Sequence, residues 1–317
     1  MSSTEHVEAP EKFVFYAYTP SLPAAVIFIV LFALSAGWHV KQLLKHRTWY
    51  FIPFVVGFEA IGYVGRVLSW KESPDFTKNP YIIQSLLLLL GPALFAASIY
   101  MVLGRLIVRL DAQALSPVRV KWLTKIFVTG DVLSFFVQGG GGAMMATAKS
   151  RDDTRMGENI ILAGLGVQIL FFGVFIVVTC VFHRRLIARP TETSLSLRTP
   201  WKGLLWVLYG SSVLIMIRSV FRIIEYGMGS EGELLQKEAY LYVFDAVPMF
   251  VIVVALNWFH PSRVLSSDGD KIPLTSVTSR EVVEGNRGSY GYQNGSSQGY
   301  DQEYSSVKPT SPGRMGV

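Results

Sequence analysis

Seven apolar stretches recur along the sequence, each near the ~20 residues that a helix needs to cross a bilayer core, and four carry ionisable side chains in their interior. The sixth is the most constraining. Within Leu214 to Tyr226, read as LIMIRSVFRIIEY, lie Arg218, Arg222 and Glu225. Their i, i+4, i+7 spacing puts all three on one face of an α-helix. The rest of that helix is Leu, Val, Ile, Met and Phe. Three ionised groups on one stripe of a membrane helix must face protein or a water-filled cavity, so their partners come from other helices.

The chain of 317 residues is 50% hydrophobic and only 16% charged, with a mean hydropathy of +0.37. Soluble domains carry about 25% charged residues, so the expectation is an all-α, polytopic membrane protein. Cys180 is the single cysteine, which excludes an internal disulfide framework and a Cys-rich metal site. Helices are expected at 21–41, 50–69, 81–104, 122–145, 158–183, 201–225 and 239–260. Helix 2 is the least apolar, because it holds Glu59 and Arg66. Residues 1–19 are polar, without the basic start and small-residue cleavage site of a signal peptide. After His260-Pro261 the composition turns to Ser, Gly, Tyr and Gln, and residues 262–317 read as a disordered tail. The expected layout is an N-terminal tail (1–19), a seven-helix domain (20–261) and a C-terminal tail (262–317).

The net charge of +6 is a topology signal, not a nucleic-acid footprint. Lys41, Lys45, Arg47, Arg105, Arg109, Arg119, Lys121, Lys125, Arg184, Arg185, Arg189, Arg198 and Lys202 follow helices 1, 3 and 5. The opposite side holds Lys12, Lys71, Lys78, Lys149, Arg151, Arg155 and Lys237. By the positive-inside rule the N-terminus lies outside and the C-terminus in the cytosol.

Depth follows from that topology. Arg66, Arg218, Arg222, Glu225 and Asp245 fall in the outer half of the membrane, and Glu59 and Asp131 near the middle. Gln84 and Gln138 are also outer, and Gln168 central. The expectation is one polar, hydrated chamber open outward, against the plainer alternative of a structural ion-pair network joining helices 2, 4, 6 and 7. In the chamber reading Arg218 or Arg222 binds an anionic headgroup, and Asp131 or Asp245 an amine. Two prolines interrupt apolar helices: Pro92, after Gly91, in helix 3 and Pro248 in helix 7. Each removes a backbone bond and is a candidate hinge. The run Gln138 to Gly142 lacks the Gly-Lys-Ser/Thr of a phosphate loop and reads as the unwound end of helix 4.

Several strings now stand together: Glu59-Ala-Ile-Gly-Tyr-Val-Gly-Arg66, Ala96-Ala-Ser-Ile-Tyr-Met-Val-Leu-Gly-Arg105 and Asp131-Val-Leu-Ser-Phe-Phe-Val-Gln-Gly-Gly-Gly. Gly164-Leu-Gly-Val-Gln168, Arg218-Ser-Val-Phe-Arg-Ile-Ile-Glu225 and Glu238-Ala-Tyr-Leu-Tyr-Val-Phe-Asp245 complete the set. In them the chain resembles the RTA-like family of fungal seven-helix membrane proteins, also called lipid-translocating exporters, from about Tyr16 to Pro261. The resemblance implies a plasma-membrane or endomembrane protein, with vacuolar membranes included. It also implies export of sphingoid bases and resistance to toxic amphiphiles, with porphyrin or haem movement in some relatives. The family has no established catalytic residues to carry over. An amphiphilic amine suits the residues: Glu59, Asp131 or Asp245 holds the ammonium head while the tail stays in lipid.

Two other classes are weighed. A seven-helix receptor fits the helix count and the Ser/Thr-bearing tail. However, helix 3 ends in Gly104-Arg105-Leu106 without an acidic residue before the arginine, helix 7 lacks Asn-Pro-x-x-Tyr, and no cysteine pair staples the outer loops. A zinc-dependent membrane hydrolase would draw on His39, His183 and His260, which lie on three different helices. No paired mid-membrane histidines point to a bound haem, and no ATP-binding motif is present. The expectation is no enzyme, no bound cofactor, and membrane lipids and amphiphiles as partners.

Overall fold

The computed structural model describes residues 20–52, 58–72, 77–148, 150–197, 200–228 and 237–265. The expected tail at 1–19, and the expected C-terminal tail from 266 onward, lie outside the described residues. The described residues are almost entirely helical, with no strand.

Seven principal helices are numbered α1 to α7. They are α1 (Leu22–His46), α2 (Phe58–Lys71), α3 (Lys78–Arg109), α4 (Val120–Thr147), α5 (Arg151–Ala188) and α6 (Trp201–Gly227). The seventh, α7, starts at Glu238–Leu241, passes through a π-helical stretch at Tyr242–Ala246 and continues as Val247–Trp258. Five of these (α1, α3, α5, α6 and α7) are long and apolar enough to cross a membrane. The chain is an all-α polytopic membrane protein. The described part of α2 has 14 residues.

The helices outlast the apolar runs. In α5 the chain is already helical at Arg151, because the Ser150 side chain accepts from the Asp153 N–H at 3.1 Å. Asp152 and Asp153 sit in that first turn, where carboxylates favour the positive end of the helix dipole. The glycine run is a correction. α4 continues through Gly139–Gly142 to Thr147 without unwinding. A Cβ on Gly141 would meet the Gly157 carbonyl at 2.7 Å and the Ile161 nitrogen at 2.9 Å. The glycine lets α4 and α5 approach backbone to backbone, a use of small residues common between membrane helices.

Packing runs around a closed ring: α1 on α2, α2 on α3, and so on to α7, which returns to α1. The closure is polar at one end. His39 Nε2 lies 3.2 Å from the Val253 carbonyl, and Gln42 donates to the Asn257 carbonyl at 3.1 Å. α3 also touches α6 across the ring. It is the most enclosed helix, with 67% of its most apolar stretch buried against 17% in α1. Tyr100, Leu103, Leu106 and Ile107 of α3 are wholly enclosed. Ile27, Leu34, Leu170, Val177, Trp206 and Trp258 stand exposed on the outside, as a lipid-facing surface requires. The first four residues of the expected C-terminal tail, Ser262–Leu265, form a helical turn on α3.

Candidate functional site

The centre of the polar interior is built by α6 and α7. Arg218 and Arg222, one turn apart, both reach Asp245. Arg218 pairs through Nε with Oδ1, and Arg222 donates from Nη2 to Oδ2 at 2.5 Å. Arg222 Nη1 also donates to Glu225 Oε2 at 2.7 Å. The stripe read from the sequence is therefore a chain of ion pairs, and its partner is the helix-7 acid. Arg218 is 1% exposed and Asp245 2%. At that burial an unpaired charge would be costly, and ion pairing is what makes it tolerable.

Asp245 is aimed inward by a local defect. Pro248 has no N–H to give the Phe244 carbonyl, four residues back. The preceding turn is π-helical, and the Val247 N–H reaches the Tyr242 carbonyl, five residues back. Asp245 lies in this widened turn. π-Bulges of this kind recur at functional sites.

The other proline acts through its absent hydrogen bond. Pro92 lies inside a continuous α3. Its missing N–H would have bonded the Leu88 carbonyl, and Arg218 Nη2 donates to that carbonyl at 2.6 Å. Beside it, Gly91 faces Glu59 of α2: a Cβ there would lie 2.5 Å from Glu59 Oε1. Glu59 is 3% exposed, and Oε1 has no hydrogen-bond partner among the described residues. It lies in the electrostatic field of Asp245, Arg218 and Arg222.

Arg66, one of the largest fully buried side chains, pairs with Glu238 at the start of α7. Its Nε and Nη2 donate to Glu238 Oε1 at 3.0 and 2.7 Å. Glu238 also accepts from the Ser21 N–H at 2.9 Å, tying α1, α2 and α7 at one end. The Arg66 guanidinium lies 5.4 Å from the Tyr242 ring centre. Tyr242 stacks on Phe28 at 5.2 Å, and Tyr63 on Phe28 at 5.6 Å. Sequence reading does not single out Glu238, because the seventh apolar stretch is expected to start at 239, just after it. Its place at the first turn of α7, on the side of Asp245 two turns later, was the available signal.

Asp131 is not part of this network. Its Oδ2 accepts from the Tyr100 hydroxyl at 2.9 Å, while Oδ1 has no hydrogen-bond partner among the described residues. Tyr100 packs 4.5 Å from Phe175 and 5.5 Å from Phe127, centre to centre. Tyr100 too was missed, since a tyrosine on a core face ordinarily contributes only packing. Gln138 joins Ser134 of its own helix and Gln168 of α5, the latter at 3.1 Å. Ser134 in turn donates to the Gly164 carbonyl at 2.6 Å. Gln84 is buried against Gly65, whose Cβ would fall 3.1 Å from the Gln84 nitrogen.

The polar residues thus divide. Glu59, Arg66, Arg218, Arg222, Glu225, Asp245 and Glu238 link α2, α6 and α7 around the broken turn of α3. Asp131 lies apart with Tyr100 on α3, and Gln138 with Gln168 holds the α4–α5 seam. The plainer alternative, a charge network through helices 2, 4, 6 and 7, is corrected on this point: among the described residues no charged partner from α4 joins it. Depth along each helix grouped these residues, but the direction each side chain faces separates them.

The histidines also divide. His39 and His260 approach, with ring centres 6.2 Å apart, and His46 lies 6.1 Å from His260. His183 lies elsewhere, 3.4 Å from the Tyr209 hydroxyl. Among the described residues no group of three His, Cys, Asp or Glu is placed to hold a metal ion, so the geometry needed for the zinc-hydrolase reading is missing there.

No solved structure matches the chain. Named relatives do. Protoporphyrin uptake protein 1 of Saccharomyces cerevisiae is 38% identical over 282 residues, covering 77% of this chain and 91% of its own. The probable lipid transporter atnI of Emericella nidulans is 31% identical over 274 residues, covering 82% of this chain and 71% of its own. Sphingoid long-chain base transporter RSB1 of Saccharomyces cerevisiae is 25% identical over 291 residues, covering 81% and 75%. The family described as RTA1 like protein matches residues 52–268, a stretch that holds Glu59, Arg66, Asp131, Arg218, Arg222, Glu225, Glu238 and Asp245. The chain is a member of the RTA1-like protein family.

Proposed function

We propose that this protein moves amphiphilic, lipid-like molecules across or out of a membrane, with a sphingoid long-chain base as the leading substrate. It is a transporter rather than an enzyme, crosses the plasma membrane seven times, and keeps its N-terminus outside and its C-terminus in the cytosol. The observation that carries this reading is the buried polar interior of a family whose relatives are named as lipid and long-chain-base transporters. The two proline-interrupted helices support it, because each contributes directly to that interior. Broken helices often border transporter binding sites.

The residues differ in what they have to offer a substrate. Both oxygens of Asp245 are engaged by arginines. Glu59 is boxed in by Gly91. Asp131 has an oxygen to spare and accepts from Tyr100, whose ring packs against Phe127 and Phe175. A carboxylate next to aromatic faces is a good seat for an organic ammonium. In this reading Asp131 takes the head of the long-chain base, and Arg218 and Arg222 shape the path. A porphyrin is the second substrate to test, given the relative named for protoporphyrin uptake.

The test is transbilayer movement of a labelled long-chain base in vesicles with and without the purified protein. Faster movement that an Arg218→Ala/Asp245→Ala variant loses, at equal incorporation, supports the reading. A well-folded protein that accelerates neither the base nor a porphyrin sinks it and favours a receptor that controls lipid export indirectly.

A further inference from the structure

The charges around α2, α6 and α7 do not balance. Three bases, Arg66, Arg218 and Arg222, face four acids, Glu59, Glu225, Glu238 and Asp245. Arg66 is matched by Glu238, and Arg218 and Arg222 by Asp245 and Glu225. Glu59 is left over. It is enclosed, and its Oε1 meets no hydrogen-bond donor among the described residues. An uncompensated carboxylate at such a place is costly, so Glu59 calls for a cation.

The space decides which cation. Gly91 packs so closely that even one added carbon would sit 2.5 Å from Oε1 and 2.9 Å from the carboxyl carbon. On that side even a methyl group fits only if Glu59 shifts, and an ammonium head with its chain is far larger. A proton needs no room. Resting on the transporter reading above, we propose that Glu59 is a proton-binding site that couples substrate movement to a proton gradient across the membrane.

The surroundings show how one proton would be felt. α6 faces Glu59 with Arg218 and Arg222, and α7 with Asp245. Its own helix adds Tyr63, which senses Glu59, Asp245 and Arg66. α3 faces it with Gly91, and α1 meets α2 through Phe28 and Phe32 on Tyr63. With Glu59 protonated, Asp245 holds both arginines, as seen. Loss of the proton creates a second carboxylate competing for the same two guanidiniums. Arg218 is then drawn from Asp245 and from the Leu88 carbonyl, which it serves in place of the missing Pro92 N–H. Both interrupted helices feel the change at their weakest turn. That is a two-state element biased by one proton.

The experiment uses the full chain in vesicles, with a labelled long-chain base and a pH dye inside. The expected result has three parts: movement without a gradient, faster movement under an imposed proton gradient with counterflow of protons, and a Glu59→Gln variant that keeps the first and loses the second. Equal movement with and without the gradient overturns the coupling and leaves the transporter reading standing. No movement in either condition overturns both. Infrared spectroscopy of the purified protein reads the site itself: a protonated-carboxyl band that titrates in the wild type and is missing from Glu59→Gln supports it, and its absence from the wild type overturns it. Should Glu59→Gln fail to fold, Glu59→Asp retains the acid and must shift the pH midpoint of the gradient response; an unchanged midpoint overturns the proposal.

Discussion

Arg218 donates to the Leu88 carbonyl at 2.6 Å, and that carbonyl is the one Pro92 cannot serve. A buried carbonyl without a partner costs about 1–3 kcal/mol. The helix break in α3 and the charge on α6 are therefore one feature. The guanidinium stands in for a backbone N–H on a neighbouring helix, and Asp245 holds it there.

Replacing Pro92 with Ala returns an N–H to the Leu88 carbonyl and removes the ring clash, which in a helix interior costs ~3 kcal/mol or more. Arg218 already recovers part of that, so the gain is smaller. Pro92→Ala should raise the melting temperature of the purified protein and slow lipid movement. A lower melting temperature would show that the break is not a strained position.

Arg218→Ala leaves both Asp245 Oδ1 and the Leu88 carbonyl without a donor. Breaking a buried pair from one side costs about 3–5 kcal/mol. The double change Arg218→Ala/Asp245→Asn removes the stranded charge and should recover a measurable part of the loss in chemical denaturation. Full additivity of the two single changes would mean that they are not coupled.

The glycines of α4 should separate cleanly. Gly141→Ala drives a Cβ into the backbone of Gly157 and Ile161, atoms that cannot rotate away, and should cost about 1–3 kcal/mol. Gly140 and Gly142 have nothing within 4 Å of an added Cβ. Alanine there should be neutral or stabilising by roughly 0.5–1 kcal/mol from helix propensity. Thermal unfolding of the three variants compares them directly, and a uniform response would refute the close-packing role.

Gly91→Ala is different again, because the atom it meets is a carboxyl oxygen at the end of a flexible side chain. The fold should survive while Glu59 shifts. A normal yield with an altered proton-gradient response is the expected pattern. An unaltered response would mean that the close approach has no bearing on Glu59.

Part of this was legible in the sequence. Arg218, Arg222 and Glu225 share a face because of their spacing alone, and their depth put them in the same half of the membrane as Arg66 and Asp245. Pro92 and Pro248 announced two breaks, but a sequence does not say which neighbour repairs the Leu88 carbonyl or that the Pro248 break widens into a π turn. Glu238 looked like a loop acid because apolarity fades at helix ends, where charged residues continue the helix. Asp131 was grouped with the arginines because depth is set by position along the helix, whereas partnership is set by the direction in which the side chain points. Gly139–Gly142 read as an unwound helix end, since intrinsic propensity disfavours glycine in helices; the close approach of α5 overrides it.

The most direct test of the central claim is headgroup selectivity in vesicles. Labelled probes with the same tail and either an ammonium or a carboxylate head are followed across the bilayer, with wild-type protein and with Asp131→Asn. Selective acceleration of the ammonium probe, lost in Asp131→Asn at equal incorporation, is the predicted result. Acceleration that ignores the headgroup, or that survives in Asp131→Asn, would contradict the account.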